Sequence, residues 1–223
     1  MEDPARSRLE LAAPRAQSEG AGREGRSALG GQGLAACKKN ARRKRAWVVF
    51  EDETGVTERP PVRRTWAPKG ETPVLTHPYN WKKLSVAGAM AYRWDGRRCR
   101  FVFRTLRGNF KAPDIIAFLK TLKRHFRGKK VILVWDRLSG HKAKITRQYI
   151  ATQRDWLTME WLPSYAPDLN PTELVWGHGK GGELANQPID DLDDVADALR
   201  RAFRSVTTRL GLAFLRHAGL SLG

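Results

Sequence analysis

Residues 130–136 read KVILVWD, an unbroken apolar run from Val131 to Trp135 that closes on a carboxylate. Such a run has no alternation that would leave one face wet, so it predicts a strand covered on both faces, as in a parallel sheet. Residues 46–52, AWVVFED, repeat the pattern: apolar, β-branched and ending in acid. If the two strands are neighbours, Asp52 and Asp136 emerge together at the carboxyl edge of the sheet, where α/β folds gather their ligands.

The rest of the fold is read outward from these two strands. RPPVRRTWAPKGETP (59–73) is an excursion, because its prolines interrupt any ladder. LSVAGAMAYRW (84–94) and RCRFVFRTL (98–106) form a hairpin about Asp95-Gly96, which makes an antiparallel meander with the first strand. Ile115, Leu119, Leu122 and Phe126 recur at helical spacing, with a cap near Pro113-Asp114. A helix over about 142–154 and a strand LTMEWL (157–162) follow. Leu192, Val195, Leu199, Phe203, Val206 and Leu210 then keep helical period to near the end. The order β-β-β-α-β-α-β-α-α is that of an α/β mixed sheet with helices on both faces.

Residues 1–37 hold scarcely any large apolar side chain and read as a disordered basic tail. The remainder divides into a domain over 38–215 and a C-terminal tail over 216–223. Lys and Arg number 41 against 23 Asp and Glu, a formal net charge of +18. A compact state so charged favours a polyanionic partner, and the bunching of basic residues in KKNARRKR (38–45), RRTWAPK (63–69) and KRHFRGKK (123–130) points to nucleic acid. Two cysteines, Cys37 and Cys99, exclude a disulfide framework and a cysteine-rich zinc site. No apolar stretch approaches the ~20 residues of a membrane helix. The expectation is a cytoplasmic protein with no membrane partner.

A third acid stands in WLPSYAPDLNPTELVW (161–176). Glu173 follows Asn170 and Pro171 at capping-box spacing, yet it also lies where it would complete a cluster with Asp52 and Asp136. Three converging carboxylates repel one another unless divalent cations separate them, and hard oxygen donors suit Mg²⁺ or Mn²⁺. Two such ions promote phosphodiester cleavage by activating the attacking oxygen and stabilising the leaving one. Bland readings stand beside this one: Asp52 as a solvated strand-end charge, Asp136 as a turn residue before Ser139-Gly140, Glu173 as a cap. The glycines of GHGKGG (177–182) match G-x-G-x-x-G, but on a helical pattern rather than after a strand, so they do not read as a dinucleotide fingerprint.

EDETGV, RRTWAPKG, KLSVAGAM, LVWDRLSGH and LPSYAPDLNPTELVW, in this order, resemble the catalytic domain of mariner-type insertion-sequence transposases, a branch of the DDE superfamily endonucleases. The resemblance covers about residues 38–186. It implies an RNase H-like fold with Asp52, Asp136 and Glu173 as catalytic and metal-binding acids. It also implies two Mg²⁺ (or Mn²⁺) ions, cleavage of DNA at mobile-element ends, and joining of the freed 3′ hydroxyl to target DNA. Two departures are Arg137, where the family commonly has Asn, and GHGKGG, whose glycines each cost a helix about 0.8–1 kcal/mol and would fray the segment carrying Glu173. His141 is retained and either supports an acid or touches DNA, against simple packing at a helix start.

Arg63, Arg64, Trp66 and Lys69 on the excursion, with Arg137, His141 and Lys142, are the candidate DNA contacts, since basic and aromatic residues together suit phosphates and bases. For Trp66 the competing reading is closure of the core. The family's helix-turn-helix modules have no counterpart in residues 1–37, which predicts a separate helix-turn-helix subunit beside a possible homodimer. The competing function is a noncatalytic DNA-binding remnant of a transposase. A ribonuclease of similar fold is a third reading, which the NPTELVW block disfavours.

Overall fold

A computed structural model of the 223-residue chain describes residues 23–59, 61–67, 69, 74, 82–163, 167–187, 189 and 191–220. Five strands form one sheet in the order β3-β2-β1-β4-β5. β1 (Trp47–Thr57), β2 (Lys83–Tyr92) and β3 (Cys99–Arg107) are the expected antiparallel meander. The β2–β3 turn is closed by the Arg93 amide on the Arg98 carbonyl, with Gly96 at a φ of 68°. β4 (Val131–Trp135) lies parallel to β1, and β5 (Leu157–Trp161) parallel to β4. The apolar runs 47–50 and 131–135 are buried throughout, as a strand covered on both faces requires.

Alternation along β1 divides the core in two. Val48 and Phe50 face one helical layer, formed by α5 (Pro171–Gly181), α6 (Leu192–Ser205) and α7 (Gly211–His217). Trp47 and Val49 face the other, with α2 (Ala112–His125) and its buried Ile115, Phe118, Leu119 and Leu122. Phe50 pairs with Val134. Asp52 lies two residues further along β1, and Asp136 follows directly on the end of β4.

The fold differs from the sequence reading in five places. The first strand, read as ending in exposed acid at Asp52, runs on to Thr57 and buries both Glu51 and Asp52. Residues 23–37, read as part of a disordered tail, are helical: α1 (Arg23–Lys44) packs Cys37 and Ala41 into the core, and Arg45 at a φ of 47° turns the chain directly into β1. Among the described side chains of α1 it is the small Cys37 and Ala41 that do this packing, and small residues give a weak apolar signal in the sequence. Residues 1–22 lie outside the described residues. The single helix expected over 142–154 is two, α3 (Ser139–Lys142) and α4 (Lys144–Ala151), broken where Ala143 is extended.

At the other end of the chain, residues 216–220 are part of the fold rather than a tail, since Ala218 and Leu220 are buried. A π-helical turn, Val206–Leu210, joins α6 to α7 and shifts the buried face by one residue. Gly211 therefore takes the inward position that the periodicity gave to Leu210. Among the described residues no helix is long and apolar enough to cross a membrane.

Candidate active site

Asp52 leaves β1 on the face that carries α5, and the NPTELVW block is built around it. Asn170 caps α5 by accepting the Thr172 amide at 3.1 Å, while its side-chain amide donates to Asp52 Oδ2 at 3.2 Å. Pro171 occupies the first helical position, where no amide donor is needed. The buried Thr172 hydroxyl donates to the Phe50 carbonyl at 2.9 Å and ties the helix start to β1. One turn on, Trp176 Nε1 donates to Asp52 Oδ2 at 3.1 Å. The indole reaches Asp52 by crossing Gly88, its partner on β2, where an added Cβ would lie 2.3 Å from the ring.

Glu173, in the first turn of the same helix, is exposed. The reciprocal half of a capping box is not formed: Asn170 makes the cap through its own side chain, and no bond joins the Asn170 amide to the Glu173 carboxylate. Burial first, and the neighbouring Glu173 carboxylate second, push the Asp52 pKa up to about 7, against the Trp176 hydrogen bond, which lowers it. Asp52 and Glu173 thus act on each other electrostatically across the start of α5. An open cavity of about 410 Å³ lies before Glu173, lined also by Asp168, Asn170, Leu174 and His217.

Asp136 is half-exposed at the end of β4. Its Oδ1 accepts the Leu138 amide at 2.9 Å, which is the turn role open to it in sequence, and lies 2.8 Å from His141 Nδ1. Burial would raise its pKa, but these two bonds hold it below the ordinary carboxylate value. His141 is buried, stacked on Trp135 at 4.1 Å between ring centroids, with Nε2 at 3.1 Å from Glu53 Oε1. Burial alone would lower the imidazole pKa; the bonds to Asp136 and Glu53 instead raise it to about 11. With both nitrogens on carboxylates, His141 does not lie where a DNA strand would touch it, and its link is to an acid.

Of the other candidate contacts, Arg63, Arg64, Trp66, Lys69, Arg137 and Lys142 are all exposed. Trp66 is 100% exposed, so it does not close the core. Asn186 fastens the excursion: it accepts the Arg63 amide at 2.8 Å and donates to the Arg63 carbonyl at 2.9 Å, which sets the guanidinium against Gly181 at the end of α5. Arg137 lies 5.8 Å over the Trp161 ring.

Helix α5 continues through the glycines expected to fray it. Gly179 is buried against Phe203 and Leu199, where bulk would be a hindrance. The sequence reading missed Lys180. It lies seven positions after Glu173 and so returns to the same helical face, it donates to Thr54 Oγ1 at 2.6 Å, and it feels both Glu173 and Asp52, although burial is what dominates and lowers its pKa.

Residues 47–196 match the model of a family described as DDE superfamily endonuclease. Among solved structures, the Mos1 mariner paired-end complex with Mn matches at 19% identity and a TM-score of 0.59, over 96% of this chain and 62% of that one. A pre-cleavage Mos1 transpososome matches at 18% identity and a TM-score of 0.60, over 96% and 63%. The catalytic domain of Mos1 mariner transposase matches at 18% and a TM-score of 0.54, over 88% of each chain. The chain therefore spans about three fifths of the length of the Mos1 chains in those complexes, with 62% covered in the paired-end complex. Comparison with curated proteins gave no match. The likeness in structure is one of fold, RNase H-like as the sequence led us to expect. The family match spans most of the chain, including β1 with Asp52, β4, and α5 with Glu173, and on that match the chain belongs to the DDE superfamily endonucleases.

Proposed function

We propose that this chain is the catalytic domain of a DNA transposase, in which Asp52, Asp136 and Glu173 hold two divalent ions, Mg²⁺ or Mn²⁺, for strand cleavage and strand transfer at mobile-element ends. The observation that carries the reading is the placement of Asp52: a carboxylate only 7% exposed, held by Asn170 and Trp176 at the start of the helix that presents Glu173. An all-oxygen donor set of this kind fits hard divalent cations and needs their charge. When bound, two such ions activate an attacking oxygen and stabilise the leaving oxygen of a phosphodiester.

The chain's own groups prepare that edge. Trp176 and Asn170 fix the rotamer of Asp52, and His141 with the Leu138 amide fixes Asp136 through Oδ1. Lys180 supplies positive charge near Asp52 and Glu173, where a DNA phosphate would enter. Arg63, Arg64, Trp66, Lys69, Arg137 and Lys142 are exposed and offer backbone and base contacts to DNA. The helix-turn-helix subunit and a homodimer belong to the same proposal. Crystals grown with Mn²⁺ and a short DNA duplex test it by anomalous scattering. Manganese peaks beside Asp52, Asp136 and Glu173 are expected, and peaks absent from this edge would sink the reading.

A further inference from the structure

On the face of the sheet opposite to Asp52, a second acidic group surrounds His141. Glu51 is 1% exposed and the His141 side chain 0%, with Glu53 beside them at 14%. One ligand atom from each lies within 4.8 Å of the others. His141 Nε2 is 3.1 Å from Glu53 Oε1 and 3.4 Å from Glu51 Oε2.

Hydrogen bonding does not satisfy this group. Nε2 carries at most one proton, and that proton is spent on Glu53 Oε1. Both oxygens of Glu51 and Oε2 of Glu53 are buried with no hydrogen-bond partner. Buried carboxylates without donors are strongly disfavoured. A cation in place of the single proton would serve both acids at once.

Three features match a metal ion rather than a proton. Atoms bonded to one transition-metal ion at about 2.0–2.2 Å lie about 3.0–3.5 Å from each other, and the two observed separations fall in that range. Nδ1 of His141 sits 2.8 Å from Asp136 Oδ1, the carboxylate–imidazole pairing that aims a histidine's other nitrogen at a metal. The partnerless oxygens of Glu51 and Glu53 are available to complete the coordination shell.

We propose that Glu51, Glu53 and His141 Nε2 bind one divalent transition-metal ion at a site separate from the Asp52–Glu173 edge. The nitrogen donor selects Mn²⁺ or Zn²⁺ over Mg²⁺, which favours oxygen and holds its water. The ion would lock His141, and through it the end of β4 and Asp136, so the site positions an acid without touching DNA.

The test uses the full chain carrying Asp52→Asn and Glu173→Gln, which disables the edge, so its outcome does not depend on the proposed strand cleavage. Zn²⁺ is titrated by calorimetry while the His141 ring nitrogens are followed by ¹⁵N NMR. One ion should bind with loss of the Nε2 proton and a large shift of that nitrogen. Adding Glu51→Gln should weaken binding at least tenfold, and Glu53→Gln likewise. Each variant's melting curve confirms folding, and either glutamine variant alone suffices if the other melts early. A His141 ring that keeps both protons at saturating Zn²⁺, or affinity unchanged by the folded glutamine variant, would overturn the proposal and leave the pocket to a proton.

Discussion

Asp52 accepts from three donors, the Glu53 amide, Asn170 and Trp176, and the last of these works against burial to keep its carboxyl from rising further. Trp176→Phe keeps the ring and deletes the N–H, so the Asp52 pKa should rise above about 7. The acid limb of a Mn²⁺-dependent pH–rate profile should then move upward by about one pH unit, the scale of one charge-assisted hydrogen bond. An unmoved limb would show that Asp52 is not the group that titrates. Folded-state stability carries the same signature. Asp52 is raised from 3.8 to about 7, so its contribution is full below pH 4 and is lost as pH rises to about 7. His141, raised from 6.5 to about 11, loses its contribution only above pH 6.5. Chelated protein should therefore weaken as pH rises from 4, and Mn²⁺, which competes with those protons, should raise Tm more at pH 8 than at pH 5.5. Equal gains in differential scanning fluorimetry would contradict this. At this scale the three acids were legible because each closes an apolar run or opens a helix, although β1 continues past Asp52 to Thr57. Glu51 and Lys180 were not, because their meaning depends on which face of β1 and α5 they take, and that is settled only by packing.

At the scale of elements, α5 is held at both ends. Thr172 ties its start to Phe50, and beyond its last turn Asn186 ties the excursion to it through Arg63. Asn186 sits at a φ of 55°, a region that Asn tolerates and Ala does not. Asn186→Ala should release the excursion and speed tryptic cleavage after Arg63 and Arg64 several-fold. Asn186→Gly, which restores the backbone freedom but not the side-chain bonds, should do the same; wild-type cleavage rates in both would show that the excursion is held by something else. The sheet and α2 were readable from periodicity, since Val131–Trp135 and Ile115, Leu119 and Leu122 bury the side chains that announce them. Helix α1 was not, because Cys37 and Ala41 pack by smallness rather than bulk. The π-helical turn was hidden for a related reason: Gly211 and Leu210 exchange places without breaking the count of apolar residues.

Over the whole molecule, charge is sorted by position. The acids gather midway along β1 and just past the end of β4, while KKNARRKR and KRHFRGKK flank the amino ends of the same strands, where the Trp47 amide meets the Lys130 carbonyl at 2.9 Å. A body of net charge +18 that surrounds a local negative edge separates holding a polyanion from cutting it. The most direct measurement reads the two together on supercoiled plasmid: Mn²⁺-dependent nicking and salt-sensitive binding by wild type and by Asp52→Asn, Asp136→Asn and Glu173→Gln. The account predicts nicking by wild type, its loss by at least a hundredfold in each variant, and binding with an unchanged salt dependence. Wild-type nicking in all three variants, or no nicking by a wild-type chain that binds, would contradict it.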